Sequence, residues 1–83
     1  MPASRITRAA LGTAVRELRT ERGLSQEALA DAAQVHVTYL SGIERGLRNP
    51  SLDKLNALAA ALKLGTLELL AHADAIAGDT ERR

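Results

Sequence analysis

Three groups of side chains have the types that chemistry needs. Ser25, Asp31 and His36 are the residue types of a nucleophile, an orienting acid and a base. They fall on two short, adjacent helical segments with no pocket and no oxyanion donors, so the chain is not expected to be an enzyme. His72 and Asp74 are metal-ligand types, but two ligands on one helix make an incomplete site, and no metal or other cofactor is expected. The chain has no cysteine, which excludes a disulfide scaffold, a thiolate zinc site and a cysteine nucleophile. The third group is Val37, Thr38, Ser41, Gly42 and Arg45, with Tyr39 at its edge. Small, hydroxyl and guanidinium side chains on one helical face can meet the bases and phosphates of a nucleic acid.

That face exists only if two helices hold it. Residues 26–33 and 37–45 are read as short helices separated by a tight break at Gln34 and Val35. Small Ala30 lets the helices cross closely, Val35 anchors the turn, and Leu40 and Ile43 dock the second helix inward. This is the spacing of a helix-turn-helix, whose second helix can enter a DNA major groove. The same spacing also fits an ordinary helical hairpin in a small bundle.

The remaining elements follow from caps and periodicity. Thr7 caps a helix over 8–22 with Leu11, Val15 and Leu18 inward, and Gly23 ends it in a left-handed conformation. Ser25 caps the second helix, and His36 stands at the start of the third, which Gly46 stops. Residues 47–50 form a loop, since the position before a proline avoids helical backbone. Ser51 caps a fourth helix over 52–62, with Leu55, Leu58, Ala59 and Leu62 on one face. Gly65 breaks it, and Thr66 caps a fifth over 67–77. Positions 1–6 are expected to be a loose arm and 78–83 to fray. On the fifth helix Leu69, Ala73 and Ile76 recur opposite Leu67 and Leu70. One stripe packs home, and the stripe of Leu69, Ala73 and Ile76 is expected to form a dimer interface.

The 83 residues are 46% hydrophobic, enough for a folded globule, and Tyr39 is the only aromatic. Ala and Leu dominate and β-branched residues are few, so the fold class is all-α, a single domain over 1–83 with an ordered core at about 8–77. No apolar run approaches the ~20 residues of a membrane span, and no apolar signal segment opens the chain, which places it in the cytoplasm without a membrane partner. A core this small without disulfide or metal favours oligomerisation. The net charge is +1. Residues 1–50 carry seven Arg and five acids, whereas 51–83 carry four bases and five acids, so the N-terminal half is mildly basic without a polybasic tract.

The residues themselves resemble a family. Gly23-Leu24-Ser25-Gln26-Glu27-Ala28-Leu29-Ala30, Leu40-Ser41-Gly42-Ile43-Glu44-Arg45-Gly46 and Asn49-Pro50-Ser51-Leu52 look like the phage Cro and repressor type of helix-turn-helix, the xenobiotic-response-element family. The stretch from Thr38 to Arg45 and the chain length further resemble controller proteins of restriction–modification systems. The resemblance implies a five-helix, lambda-repressor-like domain acting as a homodimer on a palindromic double-stranded operator. For controllers it implies activation and then repression of the protein's own gene and the linked endonuclease gene. Activation would need contact with RNA polymerase, and the acids Glu27 and Asp31 on the second helix are the candidates for it. No small-molecule ligand is expected.

By position, Gln26 matches a phosphate-gripping glutamine. Val37, Thr38 and Tyr39 match residues that meet base edges and nearby phosphates, with Ser41 and Gly42 on the same side. Arg45, Arg48 and Asn49 match backbone-holding positions. Arg19 and Glu44 match a buried pair tying the first helix to the third. His36 lies on the DNA side as a phosphate donor, and Tyr39 either contacts DNA or packs at the core edge. Two positions depart from the pattern. Gln34 stands where glycine is usual, and Val37 stands where controllers often carry a long polar side chain. Valine can touch only a thymine methyl. A phage-type repressor, an antitoxin regulating its own promoter, and a protein-interaction module that has lost DNA binding are the alternatives. Val37 and the low charge favour the last of these, and Arg45 with Arg48 oppose it.

Overall fold

The computed structural model describes residues 5–81; most of the arm expected at 1–6 and the last two positions lie outside them. Five helices follow one another: α1 (Arg8–Glu21), α2 (Gln26–Ala33), α3 (Val37–Glu44), α4 (Leu52–Ala61) and α5 (Thr66–Glu81). There is no strand among the described residues. Among them, no helix is long and apolar enough to cross a membrane.

Side chains set three of the helix starts. Thr7 Oγ1 accepts the Ala10 N–H at 3.0 Å, Ser25 Oγ accepts that of Ala28 at 3.0 Å, and Ser51 Oγ accepts that of Lys54 at 3.3 Å. Each such cap stabilises its helix by about 1 kcal/mol. His36 holds the cap position of α3 in extended conformation but makes no side-chain cap bond.

α5 departs from the sequence expectation at both ends. Gly65 precedes it and donates its N–H to Glu68 Oε1 at 2.9 Å, the returning half of a capping box. Thr66 is already helical, and its hydroxyl donates to Asn56 Oδ1. The break after α4 falls at Lys63, which takes φ 63, and not at Gly65. At the far end the helix runs through Gly78 to Glu81, where fraying was expected.

Val15, Leu29, Leu40, Ile43, Leu58, Leu62 and Leu69 are the large, fully buried side chains of one core. α5 lies along α1, α3 rests on α1 and α2, and α4 bridges α2 and α5. The crossing of α1 and α3 is backbone on backbone. A Cβ at Gly12 would come within 2.3 Å of the Ile43 carbonyl oxygen and 2.7 Å of that of Glu44. Between α2 and α3, Gln34 adopts φ 58 and ψ 45, the left-handed conformation its position demands.

The expected dimer stripe is corrected by burial within the single chain. Leu69 and Ala73 are 0% exposed, and Ile76 is half-buried against the same core. Together with buried Ala77 they form the stripe that α5 lays on its own chain, so they are not a free surface. Both stripes were legible; which one packs home depends on where α1 lies. Leu70, half-buried, packs against the core as well, and of the expected pair only Leu67, 82% exposed, faces outward.

Candidate nucleic-acid interface

Leu40 and Ile43 are fully buried, and their spacing turns the other face of α3 outward. His36, Val37, Thr38 and Arg45 are exposed and Ser41 is half-buried. Among the described residues, the side chains of His36, Thr38, Ser41 and Arg45 have no hydrogen-bond or ion-pair partner. The outward face of α3 therefore presents these side chains exposed or half-buried and unengaged.

A buried polar cluster fixes the orientation of α3. Arg19 Nε donates to Glu44 Oε2 at 2.7 Å and Arg19 Nη2 to Glu44 Oε1 at 3.0 Å, a two-pronged pair. The Arg19 and Glu44 side chains are only 12% and 3% exposed. A third prong, Arg19 Nη1, donates to the Leu24 carbonyl at 2.8 Å. The hydrogen bonds to Glu44 raise the Arg19 pKa above its ordinary value, against the opposing effect of burial. A raised value contributes stability that is whole below the unfolded pKa and is lost only as pH rises through the folded one. For a guanidinium that window lies far in the alkaline range, so Arg19 adds no pH dependence to folding near neutrality.

Gln26 joins this cluster, which the sequence did not foretell. Its Nε2 donates to Glu44 Oε1 at 3.0 Å. The first side chain of α2 and the last of α3 are thus tied through one carboxylate.

Beyond α3, Arg48 and Asn49 are exposed on the loop that follows. The Arg48 guanidinium carbon lies 5.8 Å from the centroid of the Tyr39 ring. Tyr39 is half-buried and packs against the core, so its ring is a wall of the fold as well as part of the outer face. Gly42 is corrected. It is buried beneath the Arg48 side chain and so is not part of the open groove-facing surface.

Two residues were missed. Lys54, in the first turn of α4, lines an open cleft of about 440 Å³ with Gln34, Val35, His36 and Tyr39. Its only signal in the sequence was a lone cation just after the cap of the fourth helix. Arg22 donates through Nε to the Leu62 carbonyl and through Nη1 to that of Leu18 at 3.2 Å, closing the end of α4. Far from this face, His72 Nε2 lies 2.9 Å from Glu17 Oε1 and links α5 to α1.

Residues 15–70 match the helix-turn-helix family. The chain is 50% identical over 56 residues to the HTH-type transcriptional regulator DdrOP3 of Deinococcus deserti, covering 68% of this chain and 43% of that one. It therefore spans less than half of that relative's length. The crystal structure of the restriction–modification controller protein C.AhdI of Aeromonas hydrophila superposes with a TM-score of 0.73 at 45% identity, over 75% of this chain and 94% of that chain. The biofilm master regulator SinR, solved in complex with DNA, superposes with a TM-score of 0.69 at 39% identity, over 72% of this chain and 97% of that chain.

Proposed function

The chain belongs to the helix-turn-helix family, and on that premise we propose that it is a cytoplasmic, sequence-specific DNA-binding transcription regulator. It works as a homodimer on a palindromic operator, is of the restriction–modification controller kind, and has no catalytic role. The observation that carries this reading is the outward face of α3. Thr38, Ser41 and Arg45 are unengaged while the Arg19–Glu44–Gln26 cluster holds the helix they stand on. Rigid presentation of free polar groups is what groove recognition requires.

Within that reading the roles divide. Thr38 and Ser41 meet base edges, and exposed Val37 touches a thymine methyl. Tyr39 meets the backbone beside them. Arg45, Arg48, Asn49 and His36 hold phosphates, and Gln26 offers a phosphate the second hydrogen of the amide that Glu44 already orients. A twofold axis would set the two α3 helices about one DNA turn apart, roughly 34 Å. Likeness to C.AhdI supports the controller assignment. Glu27 and Asp31, exposed on α2, are the surface for RNA polymerase.

The test separates reading from gripping. The operator is first selected from a random duplex pool. Thr38→Ala should then cost ~1–3 kcal/mol on that operator and little on scrambled DNA, shrinking the specificity ratio. Arg45→Ala should weaken both about equally and reduce the salt slope by about one unit per lost phosphate contact. If selection enriches nothing, or the two variants behave alike, the interaction-module reading replaces this one. A reporter behind the selected operator distinguishes the controller, which activates before it represses, from a phage-type repressor or antitoxin, which only represses.

A further inference from the structure

Resting on that reading of α3, we propose that Gly42 is a positioning residue for Arg48. The space above its Cα is the seat in which the arginine stem lies, so that the guanidinium reaches the DNA backbone already held over the Tyr39 ring. Glycine inside a helix is less stable than alanine, so its presence in α3 calls for a reason. A Cβ at position 42 would come 2.8 Å from Arg48 Cγ, 3.5 Å from its Nε and 3.8 Å from its Cδ. All three atoms belong to one side chain. This differs from Gly12, where the obstructing atoms are backbone.

The turn that ends α3 makes the overlap. Gly46 takes φ +75, and its N–H donates to the Ile43 carbonyl at 3.0 Å. The Leu47 N–H returns to the carbonyl of Gly42 itself at 2.8 Å. This paired closure folds the chain back so that residue 48 passes over residue 42. From the other side, the Tyr39 ring faces the Arg48 guanidinium carbon at 5.8 Å. Arg48 is thereby held along its stem and at its head while remaining exposed. A long side chain ordered before binding loses less entropy when it binds. A guanidinium held over a ring by its positive charge keeps N–H groups available for phosphate oxygens.

The experiment is a double-mutant cycle of wild type, Gly42→Ala, Arg48→Ala and the double variant. Each is titrated at several salt concentrations onto a duplex enriched from a random pool and onto a scrambled duplex. Gly42→Ala should weaken binding to both about tenfold, as Arg48→Ala does, and the double variant no more than Arg48→Ala alone. The salt slope should fall by the same amount in all three variants. Weakening by Gly42→Ala that persists in the Arg48→Ala background overturns the proposal, since the Cβ then obstructs the DNA itself. Full affinity in either single variant overturns it as well. If Gly42→Ala alone unfolds, thermal melts decide. Recovery of folding in the double variant supports the seat, and no recovery overturns it. A wild type that enriches no sequence and binds neither duplex removes the DNA reading and the proposal with it. That outcome is distinct from a wild type that binds while the two sites fail to couple.

Discussion

Gln34 takes φ 58 and ψ 45, where a residue with a Cβ is strained by about 1–2 kcal/mol. Its N–H donates to the Asp31 carbonyl at 3.1 Å and the next N–H, of Val35, to that of Ala30 at 2.9 Å, so the turn geometry is enforced by the backbone. Glycine would remove the strain at the cost of a more flexible unfolded chain. The two effects leave an expected net gain for Gln34→Gly of about 0.5–1 kcal/mol. Denaturant midpoints measure it, and operator affinity should stay at the wild-type value because Gln34 stands before α3 and adds nothing to its outward face. A lower midpoint would mean that the side chain of Gln34 contributes more than its backbone strain removes. The left-handed turn could be read in advance from the resemblance, because Gln34 stands where the family usually carries glycine. Lys63 reaches φ 63 with no comparable signal, since lysine is not a residue type that announces a left-handed turn.

Helix starts were legible at Thr7, Ser25 and Ser51, where a hydroxyl before an apolar period makes a local cap, but not at Thr66, which is already the first helical residue of α5. Contacts between elements were less so. The Arg19–Glu44 pair came from likeness to a family, while its third member Gln26 emerged only once α2 and α3 were placed. Gly12 is the clearest case. In sequence it is a glycine inside a helix, where Ala would be expected to add up to about 1 kcal/mol. In the fold it is the point at which α1 meets the last turn of α3, and a methyl there would press on two backbone oxygens at 2.3 and 2.7 Å. Overpacking of that kind costs about 1–3 kcal/mol, and backbone cannot swing aside as a side-chain end can, so the steric effect wins. Gly12→Ala should therefore lower the denaturant midpoint. It should also weaken DNA binding, because the helix it displaces carries Thr38 and Arg45. A raised midpoint would show that α1 and α3 separate at little cost.

At the scale of the whole molecule, the apolar surface left over after folding bears on how two copies would meet. The chain buries Leu69 and Ala73 completely, packs half-buried Leu70 against the same core, and leaves Leu67 82% exposed at the start of α5. A homodimer that presents two α3 helices would need a seam away from Thr38 and Arg45, and exposed Leu67 stands on a helix that contributes nothing to the outward face of α3. Two aspartate substitutions on one helix distinguish the seam from the core. Leu69→Asp places a carboxylate in a site with no water and no partner, and should abolish folding. Leu67→Asp places it on the surface of a single chain and should leave each protomer helical while separating the pair. Analytical ultracentrifugation at tens of micromolar, with far-ultraviolet circular dichroism on the same samples, reads both effects. Wild type should sediment as a dimer, Leu67→Asp as a folded monomer, and its operator affinity should fall steeply because two half-sites no longer bind as one unit. A Leu67→Asp protein that still sediments as a dimer would move the seam elsewhere, to the exposed Leu47 and Leu52 about the start of α4.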